Sequence, residues 1–165
     1  DLAAALAEVG AAAAARDRWW IIGSAAMALH GVPGLVVGDI DLLMSRRDAA
    51  ALLRSKGVEP APGEAGGRFR SDVFGRWRAG AYVVEVMGGF HVEGIELVPE
   101  TRIAAGGLYV PSVGELIAMC ELFGRPKDKE RTQLLRALRP ACARSGLRRR
   151  GRGGGSGRRW RASAG

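Results

Sequence analysis

Apolar and polar positions along this chain fall into short blocks whose period changes from helical to extended and back. Leu2–Arg16 is dominated by alanine with Leu2, Leu6 and Val9 at helical spacing, which predicts a helix. Trp19–Ile22 is a brief continuous apolar run and predicts a buried strand. Ser24–His30 reads as a helix that starts at a Gly-Ser corner and stops at Gly31, before the turn forced by Pro33-Gly34. Val36–Met44 predicts a second strand, interrupted by Gly38. Ser45 is a suitable cap for a helix over Arg46–Lys56, whose Ala50, Leu52 and Leu53 form an apolar side and whose Gly57 ends it.

The second half is richer in extended patterns. Glu59–Gly67 carries proline and glycine and reads as a loop, followed by a mixed strand over Arg68–Trp77 and a turn at Ala79-Gly80. Ala81–Met87 predicts a strand that Gly88-Gly89 bends toward a further strand at His91–Val98. A short strand at Leu108–Val110 precedes Ser112, the cap of a helix through about Phe123. Pro126 suits the first turn of a last helix with Leu134, Leu135 and Leu138 as its buried stripe. Interleaved helices and strands with a hairpin-like centre predict an α/β or α+β domain around a mixed sheet flanked by helices. No internal repeat is visible.

Length and charge refine this picture. The 165 residues suffice for one domain with one core. The net charge of +8 suggests a nucleic-acid partner until it is located. Nine arginines and no acid follow from Arg139 onward, which leaves 16 basic and 17 acidic residues in 1–138, a net charge of −1. The expected organisation is therefore a near-neutral domain over 1–138 and an Arg/Gly-rich, disordered tail over 139–165, which reads either as a solvated extension or as an arm that contacts RNA. No apolar run reaches the length of about 20 residues that a membrane span needs. The Ala-rich start lacks the basic flank of a signal peptide, and Cys120 and Cys142 have no metal-ligand spacing. A reducing, cytoplasmic setting is expected.

The chemistry concentrates in three places. Asp39 and Asp41 alternate with Ile40 along a strand, so the two carboxylates share a face with Cα atoms about 6.6 Å apart while Ile40 points into the core. Paired carboxylates at that spacing can bracket divalent cations of a phosphoryl-transfer site, and oxygen ligands favour magnesium. Gly23 lets a phosphate approach the backbone, and Ser24 adds a hydroxyl where the following helix begins. Glu85 stands alone in the apolar run Tyr82–Met87, where burying a charge is costly unless a cation compensates it.

Together these residues resemble the nucleotidyltransferase superfamily with the DNA polymerase beta-like fold. That family places a Gly-Ser on a strand-helix corner, an Asp-x-Asp on the next strand and a third carboxylate on a later one. Gly23, Ala26, His30-Gly31 and Asp39 to Leu43 look most like the small bacterial lincosamide and aminoglycoside nucleotidyltransferases and AbiEii-like toxins, in which a later Arg-Pro-Lys-Asp, here Arg125 to Asp128, also recurs. The resemblance spans about residues 16 to 138. It implies two magnesium ions held by Asp39, Asp41 and Glu85, with Glu85 also helping to accept a proton from the attacking hydroxyl. It further implies a nucleoside triphosphate, such as ATP, held by Gly23, Ser24 and Lys127. Its nucleoside monophosphate would pass to a hydroxyl, on a small molecule rather than a nucleic acid, with release of pyrophosphate.

Relatives often carry an Arg and a Thr just upstream of the Asp-x-Asp, where this chain has Gly34-Leu35-Val36-Val37-Gly38. Two alternatives therefore stand beside the first: a toxin-type transferase acting on tRNA or protein, and a degenerate member that only binds. Among lesser candidates, His30 and His91 have no metal partner in sequence, Trp19-Trp20 suit the core, and Glu93, Glu96 and Glu100 would make an acidic lip for a cationic acceptor or a solvated strand face.

Overall fold

A computed structural model describes residues 1–138 of the chain. The expectations for the tail, Cys142 included, lie outside the described residues.

The core is a six-stranded mixed sheet. Helix α1 (Leu2–Ala12) leads to β1 (Trp20–Ile22), α2 (Gly23–Leu29), β2 (Asp39–Met44) and α3 (Arg46–Ser55). Strands β3 (Ala61–Ala65), β4 (Phe69–Ala79), β5 (Tyr82–Val92) and β6 (Ile95–Glu96) follow. A separate two-stranded ribbon, β7 (Ile103–Ala105) with β8 (Leu108–Val110), precedes α4 (Val113–Phe123) and α5 (Pro126–Ala137). The strand order is β1-β2-β5-β4-β3, with β6 on the end of β5. The β2–β5 pair is parallel and the other pairs are antiparallel.

One face of the sheet is an apolar layer set by register. Ile40 lies beside Val84, which lies beside Trp77, and Leu42 lies beside Val86. Ile40, Leu42, Val84 and Val86 are all fully buried. Each contributes about 1.5–3 kcal/mol of burial to the fold. Helix α3 packs on this layer through Leu52 and Leu53. Ser45 caps it as expected, its hydroxyl accepting from the Asp48 amide at 3.3 Å.

Several expected boundaries shift for physical reasons. The first helix stops at Ala12 rather than Arg16, and β2 begins at Asp39 rather than Val36. Residues 61–65 form a strand instead of a loop because an edge strand needs only backbone pairing on one side, which Pro62 tolerates. Gly88-Gly89 does not break β5. Gly88 instead admits α3, since a side chain there would meet Ala49 Cβ at 2.8 Å. Strand β7 is an element the pattern did not predict. In α5 the buried positions are Asp128, Thr132 and Leu135, whereas Leu134 is exposed and Leu138 is half-buried. Among the described residues, no helix is long and apolar enough to cross a membrane.

Candidate active site

The opposite face of the same strands carries the charge. Ile22 on β1, Asp41 on β2, Glu85 on β5 and Arg76 on β4 stand side by side in one row of cross-strand partners. Asp39 follows one step along the same face, beside Val83. Alternation along β2 thus does two jobs, sending Ile40 into the apolar layer and both carboxylates to the other side. The Glu85 side chain is brought to them by the parallel β2–β5 pairing.

Asp39, Asp41 and Glu85 each offer a carboxylate oxygen, and the three oxygens lie within 4.8 Å of one another. Among the described residues this is the one group of His, Cys, Asp or Glu so arranged. Burial, then the charges of Asp39 and Glu85, push the Asp41 carboxyl from 3.8 up to about 7, with Arg131 and Lys127 pulling weakly the other way. Such a cluster has more negative charge than its surroundings neutralise. An all-oxygen donor set of this kind fits a hard divalent cation, and a cation there would remove the repulsion that raises the Asp41 pKa.

Gly23 and Ser24 complete one side of the site. Gly23 adopts φ +65° at the end of β1, and a side chain on it would run into Asp41 Oδ2. The glycine is therefore required twice, by its backbone conformation and by the carboxylate packed against it. Ser24 is buried, and its hydroxyl has no hydrogen-bond partner among the described residues. An orphaned buried hydroxyl next to a carboxylate cluster is a donor held in reserve for something that binds there. Lys127 is exposed in the first turn of α5, within electrostatic reach of Asp41.

Two arginines border the site, Arg76, which the sequence did not point to, and Arg125 of the Arg125 to Asp128 motif. Arg76 holds Glu85 through Nε at 2.8 Å and Nη2 at 2.7 Å. Arg125 caps α5, its side chain bonded to the buried Asp128 carboxylate at 2.6 and 3.1 Å. Beyond Glu85 the floor continues into a cleft of about 300 Å³ bounded by β3, β4 and the α4–α5 junction, with Phe69, Phe74, Phe90, Phe123 and Arg70 in its walls. Proximity of Arg76 to Glu85 was readable only through the hairpin register. The turn is Gly80-Ala81, not Ala79-Gly80, and that one-residue difference moves every cross-strand partner by two.

The remaining candidates are structural. His30 Nε2 lies 2.7 Å from the Pro111 carbonyl at the end of α2, and His91 Nδ1 lies 2.8 Å from the Gly89 carbonyl. Trp19 and Trp20 are buried in the core. Glu93 pairs with Arg68 and Glu96 with Arg46, while the Glu100 amide bonds to Glu115. None of these three acids lines the cleft. Cys120 is a free, buried thiol whose pKa burial raises, the opposite of what a nucleophile needs.

Strand order, the strand-helix corner and the three-carboxylate face define a nucleotidyltransferase fold. A crystal structure from Thermotoga maritima, described as a "putative nucleotidyltransferase", superposes with a TM-score of 0.60 at 21% sequence identity. The match covers 78% of this chain and 88% of that one. No protein-family model matches the chain, and the comparison with curated proteins returned no significant match.

Proposed function

We propose that this protein is a metal-dependent nucleotidyltransferase that moves a nucleoside monophosphate from a nucleoside triphosphate to a hydroxyl on a small-molecule acceptor. The observation that carries this reading is the convergence of Asp39, Asp41 and Glu85 on one face of a nucleotidyltransferase fold, packed against Gly23. Its grouping with the small bacterial lincosamide, aminoglycoside and AbiEii-like enzymes rests on the Gly23 to Leu43 pattern and the Arg125 to Asp128 motif.

In this mechanism Asp39, Asp41 and Glu85 would hold magnesium, which when bound would supply stabilisation of the entering and leaving oxygens of an in-line displacement. Ser24 donates its orphaned hydroxyl, and Gly23 its backbone amide, to the triphosphate. Lys127 reaches the phosphates as a point charge. The acceptor oxygen bonds to the α-phosphorus as the bond to pyrophosphate breaks, and the hydroxyl proton passes to Glu85. Arg76 keeps the Glu85 carboxylate oriented until the site is loaded.

The test is calorimetric titration of the full chain with ATP, GTP, CTP and UTP, with and without magnesium, beside the Asp39→Ala/Asp41→Ala variant. Magnesium-dependent binding of one triphosphate, lost in the variant, is the expected result. Binding that survives the double substitution, or no binding of any triphosphate, would instead make this fold a non-catalytic module in this chain.

A further inference from the structure

The cleft beyond Glu85 has a defined place in the order of the sheet. Gly23 leaves from β1, the carboxylates sit on β2 and β5, and the cleft opens on them at Ile22 and Asp41 and runs across β5 toward β4 and β3. In an in-line displacement the entering hydroxyl and the departing pyrophosphate occupy opposite sides of the α-phosphorus. If the triphosphate lies toward Gly23, Ser24 and Lys127, the entering side is the side of the cleft. This orientation rests on the function proposed above.

The walls state what the cleft accepts. Phe69 and Phe90 lie nearly parallel, 6.3 Å apart, and Phe123 stands edge-on to both. Three guanidinium groups accompany them. Arg76 lies 5.1 Å from the Phe74 ring, Arg125 lies 5.3 and 5.2 Å from Phe69 and Phe123, and Arg70, whose Nη2 is 3.3 Å from Asp72, is on the rim. The acids of the lining are Asp41 and Glu85, both assigned to the cation, and Glu64. With Glu85 engaged by the cation, the charge of the exposed Arg76 is left to the cleft. A polycation would meet arginines there, and two of the three glutamates expected to form an acidic lip, Glu93 and Glu96, are spent on Arg68 and Arg46.

We infer that the β3–β4 cleft is the acceptor site and that it takes a flat, apolar ring system carrying an anionic group. The rings stack against phenylalanine, the anion meets Arg70 and Arg76, and the hydroxyl is presented at the Glu85 end.

The probe is 8-anilinonaphthalene-1-sulfonate, an aromatic anion whose fluorescence rises in apolar sites, titrated into the full chain and into Arg70→Glu and Ala65→Trp variants. Arg70 is an exposed rim charge and Ala65 an exposed strand position on the cleft wall, so both variants should keep the near-UV circular dichroism of the parent. The expected result is one site per chain, weakened about tenfold by charge reversal and closed by the tryptophan. Saturating Mg-ATP, or whichever triphosphate the calorimetry selects, should leave the probe bound, and the cationic dansylcadaverine should not compete. Displacement of the probe by the triphosphate would overturn the inference by making the cleft part of the nucleotide site, with the proposed function left standing. Indifference of the probe to Arg70→Glu, or equal binding of the cationic probe, would overturn it as well. Probe binding in a chain that binds no triphosphate would remove both proposals together.

Discussion

Asp41 carries the largest electrostatic cost in the described structure. It sits between Asp39 and Glu85, in contact with the Gly23 backbone, and its carboxyl titrates near 7 instead of near 4. Below about pH 4 the group is protonated in both folded and unfolded chains and contributes no difference. Between 4 and 7 the unfolded chain releases the proton while the folded one retains it, so stability falls as pH rises, and above 7 the penalty is complete. Asp41→Asn removes that dependence. In the absence of divalent cations it should be more stable than the parent by about 2 kcal/mol at pH 8, a value below the full shift because Lys127 and Arg131 relax toward the charge. The two proteins should be nearly equal at pH 4. Thermal melts at the two pH values check this, and magnesium should raise the melting temperature of the parent alone. A variant whose advantage does not change with pH would show that Asp41 ionises freely.

At the level of elements, Arg125-Pro126-Lys127-Asp128 shows how a motif can be legible while its parts are weighted wrongly. The sequence pointed to Lys127, yet the buried residue is Asp128, which accepts from the Arg125 amide at 3.1 Å and from its guanidinium. This pair closes the first turn of α5 and thereby places the arginine at the cleft, with Lys127 exposed beside it. Asp128→Asn keeps the shape but loses the charge, and should cost about 2 kcal/mol in denaturant unfolding, less than a fully buried pair because Arg125 is partly exposed. Arg131, 3.7 Å from the same carboxylate, loses its partner as well, so a loss of under half that amount would mean that the neutral amide keeps most of the hydrogen bonding. The carboxylates were readable because strand alternation is strict and a charge inside a β-forming run is conspicuous. Arg76 and the aromatic cleft were not readable because they depend on a hairpin register that one misplaced turn residue displaces. Strand β3 was hidden for a related reason, since Pro62, Gly63 and Glu64 look like a loop until a neighbour offers backbone partners.

For the molecule as a whole, the order of elements from β1 to β2 and the central strands was legible, because each buried strand is a compact apolar block and each helix carries its own stop. The path between them was not, since nothing local in residues 41 or 85 says that β2 and β5 pair in parallel. That pairing closes a long loop, a contact that carries a cost in entropy. A cation shared by Asp41 and Glu85 would tie together two strands that the chain itself joins only through that loop. Because it requires both strands in place, it would bind the native state and not the species that is still searching for the register. Magnesium should therefore slow unfolding in stopped-flow experiments and leave the refolding rate unchanged, whereas acceleration of refolding would mean that the two strands meet before the transition state. The catalytic metal would then act as a kinetic lock, so that the protein lasts longest when it is loaded for work.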